Sequence, residues 1–281
     1  MSSLSIVDTV RASFAFSLRN SAEILKRILL PAISGGVILY ILALAYINEL
    51  DRFLVDHDQR SASLVLALAG GGFLALLFLH AIVATAVISL VFEKPRDAAW
   101  RYFHIALPEW RVYAGLLRLV VVAGILIVGG QGVRILLLRF GYDPLLGYMS
   151  QLLIFLALIW IVIRIGFFVG PVGVHRTSGQ IVGRSWEVSS TEFWRLLVIG
   201  LICILPGVFF YLLGEYVLRA AGMVHLSGSI HTLAELTGAL HQMLFRLVVL
   251  LSLTYVICAV ALSAATAFAY RTLLAGTADA V

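Results

Sequence analysis

The chain has 281 residues, 62% of them hydrophobic and only 12% charged, with a mean hydropathy of +1.04. A soluble domain is about half apolar and about a quarter charged, so the excess apolar surface has to face lipid, and collagen-like, disordered, disulfide-rich and zinc-finger classes are excluded. The net charge of +5 follows membrane topology rather than forming a nucleic-acid surface, and Cys203 and Cys258, both inside apolar runs, make no disulfide framework.

Residues 1–27 open with an amphipathic stretch. Val7, Val10, Phe14 and Leu18 share one helical face while Asp8, Arg11 and Arg19 lie elsewhere, the pattern of a helix lying in the membrane interface. Asn20-Ser21-Ala22-Glu23 reads as a capping box, with Asn20 as N-cap, leading into a first span near 28–47. Asp8 and Glu23 in the leader, and the length of the apolar run, favour an uncleaved span over a signal peptide. The second apolar run, 61–92, holds His80 and has 32 residues. At ~1.5 Å per residue it exceeds a ~30 Å hydrocarbon core, so part of it is expected to tilt or to lie at the surface.

A second amphipathic stretch follows, with Trp100, Phe103, Leu107 and Trp110 on one face and Pro108 near a helix start. Spans near 114–138 and 145–169 come next and carry Arg118 and Arg164. Gln131 and Gln151 flank the turn between them and are expected to bond each other. The third amphipathic stretch has Val182, Trp186 and Phe193, and Ser189-Ser190-Thr191-Glu192 reads as a second capping box. Spans near 196–218 and 242–269 complete a set of six, with Glu215 and Arg246 placed to pair across the last hairpin. Small residues at Gly166 and Gly170, and at Ala259, Ser263 and Ala267, read as close-packing faces. The same reading is preferred for the Gly and Pro clusters at Pro31, Gly70-Gly71-Gly72 and Pro206 over broken transport helices.

Lys and Arg set the direction of threading. Segments 1–27, 93–113, 170–195 and 270–281 hold Arg11, Arg19, Lys26, Arg27, Lys94, Arg96, Arg101, Arg111, Arg176, Arg184, Arg195 and Arg271, against Arg52, Arg60, Arg139 and Arg219 in the opposite connections. Both termini are therefore expected in the cytoplasm. The layout also repeats: Phe14, Trp100 and Trp186 are 86 and 86 residues apart, and Lys26, Arg111 and Arg195 are 85 and 84 apart. This spacing points to three units, 5–92, 95–165 and 180–270, each an interfacial helix plus a transmembrane hairpin, within one membrane domain, 1–281. A mitochondrial-carrier reading fails because Pro31-Ala32-Ile33 and Pro206-Gly207-Val208 lack that family's acidic residue.

Gly183-Arg184-Ser185-Trp186-Glu187-Val188, followed by Glu192-Phe193-Trp194-Arg195-Leu196-Leu197, resembles a short R-S-W…F-W-R segment. That segment belongs to a bacterial group of six-span proteins related to the membrane domain of glycerophosphoryl diester phosphodiesterases. The resemblance covers about 15 residues plus the topology. It implies a six-span protein of the bacterial inner membrane but transfers no catalysis, since the spans leave no room for the phosphodiesterase domain.

Polar side chains inside spans are the functional candidates, because a central Arg costs at least ~2.5–3.5 kcal/mol. They are His80, Arg118 and Arg164, with Phe14, Trp100, Trp110, Trp186 and Trp194 as interfacial anchors. His225, His231, Glu235 and His241, like Asp51 and Asp56-His57-Asp58, read as solvated loops without a metal motif. No cofactor, catalytic residue, metal site or nucleic-acid partner is expected; membrane lipids are the expected partners. The leading expectation is an all-α integral membrane protein, non-enzymatic, serving envelope or lipid homeostasis or acting as a membrane scaffold. The alternative is a small-solute or lipid transporter with a cavity near His80 and Arg164. Convergence of His80, Arg118 and Arg164 on one wet cavity would favour transport, and local pairing of each would favour the scaffold.

Overall fold

The computed structural model describes residues 4–54, 59–93, 107–141, 144–175, 181–190, 192–220 and 233–278. Among these every regular element is helical. The helices are α1 (Ile6–Arg19), α2 (Ser21–Leu54), α3 (Gln59–Val91), α4 (Leu107–Arg139), α5 (Pro144–Ile161), a π-helical turn (Val162–Gly166), α6 (Phe167–His175), α7 (Ile181–Val188), α8 (Phe193–Ala220) and α9 (Leu233–Ala278). Six helices are long and apolar enough to cross a bilayer: Ser21–Phe53, Arg60–Val91, Leu107–Arg139, Leu145–Val174, Phe193–Ala220 and Met243–Ala275. The protein is thus an all-α, six-span, multi-pass membrane protein. With 28 to 33 residues each, the spans are about 42 to 50 Å long at 1.5 Å per residue, so every one, and not only the second, overshoots the hydrocarbon layer.

Successive helices pack as hairpins, α2 on α3, α4 on α5 and α8 on α9, and the hairpins are tied together by α3 and α9. Apolar packing is concentrated at one end of the bundle, where α1 lies and α3 and α9 finish. There Leu4, Ile88, Val112, Phe168, Val172, Leu196, Ile199 and Tyr270 form one core, and Ile24, Ile28, Val83, Val87 and Ala259 form a second. Towards the opposite end the helices show large apolar side chains outward, among them Ile41, Leu66, Ile125, Leu153, Phe209 and Phe245. In water such a surface would aggregate; surrounded by acyl chains it costs nothing to leave it uncovered.

Glycine spacing explains the close hairpins. A Cβ on Gly207 would run into the Cys258 Sγ and lie 3.3 Å from the Thr254 carbonyl oxygen, so α8 and α9 approach there backbone to backbone. A Cβ on Gly35 would meet Leu79 at 2.9 Å, which sets the α2–α3 distance. Pro31 and Pro206 sit inside helices that continue past them. The small-residue face of Ala259, Ser263 and Ala267 is buried, as a packing surface should be.

The first amphipathic stretch is a separate helix, α1, and a polar edge of it packs on the bundle. Thr9 and Ser13 face the bundle, and the Ser13 hydroxyl donates to the Ala261 carbonyl of α9 at 2.9 Å. Val10 and Phe14 are partly buried against the core, whereas Val7 and Leu18 are 72% and 77% exposed. A small hydroxyl fits between helices, and the bulky aliphatic side chains can be left to lipid. The second stretch, 95–106, lies outside the described residues, with Trp100 in it; the third is α7.

Both capping boxes are replaced by other contacts. α1 runs into α2 with no loop, so Asn20 closes α1, donating through Nδ2 to the Phe16 carbonyl at 3.0 Å, and Glu23 pairs with Arg27 instead. Ser189 is drawn to Arg164, and Glu192 pairs with Arg195. At the other end of α8 the partner of Glu215 is Arg219, on the same helix. The expected Gln131–Gln151 bond is present, with Gln151 Nε2 donating at 3.3 Å.

Candidate functional site

Arg164 sits on the π-helical turn that interrupts the fourth span. Such a turn inserts a residue and re-aims the side chains on it. Here it rotates Arg164 away from lipid and towards α7 and the α7–α8 junction. Nη2 donates to the Trp186 carbonyl at 3.0 Å and Nε to the Ser189 Oγ at 3.4 Å. The guanidinium carbon lies 4.1 Å from the Trp186 ring centroid and 5.2 Å from that of Trp160, and the two indoles meet edge-on at 4.8 Å. Ser189 completes the exchange by donating from Oγ to the Arg164 carbonyl at 2.6 Å.

Arg164 is only 9% exposed, and its described partners are hydroxyl, carbonyl and indole groups rather than a carboxylate. A desolvated cation over an indole face gains about 2 kcal/mol or more, which offsets part of the burial cost. The Arg, Ser and two Trp side chains therefore form a clamp that fixes the π turn of the fourth span to the segment entering the fifth. Trp186, expected as an interfacial anchor, is the lid of this clamp.

A separate cavity of about 300 Å³ lies between α3, α4, the π turn with α6, α8 and α9. Its walls are mostly aliphatic; Gly200 leaves room beside Phe167, while Gly166 and Gly170 let Leu119 and Ile88 pack closely against the fourth span, as the small-residue reading expects. His80, Ser263 and Thr266 are its polar side chains. The His80 Nδ1 lies 2.8 Å from the Tyr255 hydroxyl of α9, and the Thr266 hydroxyl donates to the Ser263 carbonyl at 2.9 Å. This volume is at the small end of ligand pockets, and apolar walls with a few polar groups are their usual lining.

The three intramembrane candidates do not converge. His80 lines the cavity; the π turn gives the cavity Val162 and Ile163 while Arg164 faces the Trp clamp; Arg118 lies on the exposed side of α4. Of the other anchors, Trp110 and Trp194 are exposed and Phe14 is half-buried, and Trp110 packs on Phe78 and Tyr113. The loop segments with His225, His231, Asp56, His57 and Asp58 lie outside the described residues. No group of three or more potential metal ligands occurs among the described residues.

Trp160 and Tyr255 were missed in the sequence, and Ser189 was read only as part of a helix cap. An Arg and a Trp four residues apart on a span, as Trp160 and Arg164 are, is the signal that could have pointed to the clamp. No family model, curated protein or solved structure matches this chain.

Proposed function

We propose that the protein is a non-enzymatic component of envelope or lipid homeostasis in a bacterial cytoplasmic membrane, with both termini in the cytoplasm, and that it works by accommodating membrane lipid. The observation that carries this reading is the cavity among the spans: aliphatic walls, no Lys, Arg, Asp or Glu side chain in the lining among the described residues, and His80 already bonded to Tyr255. The separation of His80, Arg118 and Arg164 into three surroundings supports it as well, since a pathway for a charged solute needs polar groups gathered along one route. The likeness of the segment around Trp186 to the membrane domain of the phosphodiesterase-associated group implies a six-span inner-membrane protein and transfers no activity; the clamp gives that segment a structural role.

Purification in mild detergent followed by mass spectrometry of co-purifying lipids tests this, paired with lipid analysis of cells that lack the protein. Lipid retained in a fixed ratio to protein, with an altered cellular lipid composition on loss of the protein, is the expected result. Solute flux through proteoliposomes that is abolished by His80→Leu would establish the transport alternative instead.

A further inference from the structure

Three of the residues that line the cavity also form the outer surface of the bundle. Val162 on the π turn is 44% exposed, and Leu201 and Ile204 on α8 are 58% and 39% exposed. A residue that both lines a cavity and lies on the outer surface marks its mouth. The cavity therefore opens sideways, between the π turn and α8, at a level set by helix geometry. Leu201 and Ile204 are 8 and 11 residues beyond Phe193 at the start of α8, which is about 12 and 16 Å along the span. That is within the hydrocarbon layer, well inside the helix end. Opposite the mouth the cavity ends at α3 and α9, on His80, Ala84, Leu262 and Ser263.

From this geometry we infer that the cavity is a lateral site for one acyl chain of a bilayer phospholipid, entering from the membrane between the π turn and α8. The inference deepens the lipid-homeostasis reading and rests on it. A headgroup is excluded from the interior because, among the described residues, no Lys, Arg, Asp or Glu side chain lines it, and an unpaired charge there would be severely destabilised. Water has few anchors, since the Thr266 hydroxyl and the His80 Nδ1 are engaged within the protein, which leaves the Ser263 hydroxyl and the His80 Nε2 in an otherwise apolar lining, the lower limit of the two to four polar partners that a buried water needs. A flexible hydrocarbon chain meets both conditions, and it is the molecule that the mouth faces. The π turn is what makes the opening: it directs Val162 and Ile163 to the cavity and Arg164 to the clamp, so the clamp holds one jamb of the mouth in place.

The test is photolabelling of the full-length protein, in vesicles of phosphatidylethanolamine and phosphatidylglycerol, with a phosphatidylcholine probe that carries a diazirine in its acyl chain. Labelled residues are mapped by peptide mass spectrometry. The expected result is labelling within 197–204 and 262–266, reduced at least fivefold by Gly200→Leu and by Leu201→Trp and unchanged by Leu205→Trp. A Cβ at Gly200 meets only the Phe167 ring, at an ordinary 3.8 Å, so its side chain fills the cavity without a backbone clash. Leu201 is exposed, so its replacement blocks the mouth and tests the same point should Gly200→Leu not fold; Leu205 is exposed but outside the lining.

Labelling confined to outward positions such as Phe209 and Phe245, or cavity labelling that neither variant reduces, would overturn the inference. So would labelling of the cavity by a diazirine-bearing isoprenoid but not by the acyl probe. An altered lipid composition in cells lacking the protein, alongside an unlabelled cavity, would reject the site and leave the broader reading standing. Cavity labelling with no cellular lipid change would do the reverse.

Discussion

Arg164 shows how a charge can be kept at membrane depth without an opposite charge. Its guanidinium lies over Trp186, its N–H groups reach a carbonyl and a hydroxyl, and that hydroxyl repays the Arg164 carbonyl. Removing the hydroxyl leaves buried polar groups unsatisfied, at about 1–3 kcal/mol. Ser189→Ala is therefore expected to lower the thermal midpoint in detergent by several degrees. Arg164→Lys keeps the charge but gives up the planar stack and the forked donors, so it should destabilise at least as much. In a double-mutant cycle Ser189→Ala should cost less in the Arg164→Lys background, because the Nε donor to the Ser189 hydroxyl is already lost while the bond from that hydroxyl to the backbone carbonyl of residue 164 persists; full additivity would mean that guanidinium and hydroxyl do not act as a unit. Sequence made Arg164 visible as a costly residue, but its partners were hidden. Ser189 is 25 positions away, and its local pattern with Glu192 imitates a cap, so a tertiary bond outcompetes the motif.

At the scale of elements, the same composition serves two purposes that only packing separates. Gly207 lies where α8 touches α9, whereas Gly71 has nothing within 4 Å of a Cβ. Gly71→Ala should be neutral or stabilising by up to about 1 kcal/mol, the helix-propensity gain. Gly207→Ala should destabilise by about 1–3 kcal/mol through overpacking, seen as a lower midpoint and an unchanged helical circular dichroism signal per folded molecule. The reverse order would refute the packing role of Gly207. Helix existence was legible here because apolar runs of this length have no other solution in lipid. Helix ends were not, because the helices run on through charged flanks, from Ser21 past Glu23 and Arg27 and from Leu107 past Glu109 and Arg111, beyond the apolar runs. The inward face of α1 was not legible for a related reason: in a membrane the apolar side chains need not be the buried ones, and it is Ser13 that packs on α9 while Val7 stays exposed.

On the scale of the whole molecule, the six spans follow from composition, whereas the cavity does not. Its walls come from five segments and consist of the residues that elsewhere make ordinary helix contacts, so a gap between them leaves no pattern in the chain. His80 was legible as a polar residue inside a span, but its partner on another helix, Tyr255, was not. The even spacing of Phe14, Trp100 and Trp186 remains an expectation about three units, to be tested by superposing 5–92, 95–165 and 180–270.

All of these inferences depend on an even number of crossings. Tags at residue 1 and residue 281, probed with a protease or an impermeant label in sealed, right-side-out membrane vesicles, measure this directly. Both tags should be protected, and both should become accessible when the vesicles are opened. One tag protected and the other accessible would contradict the six-span arrangement.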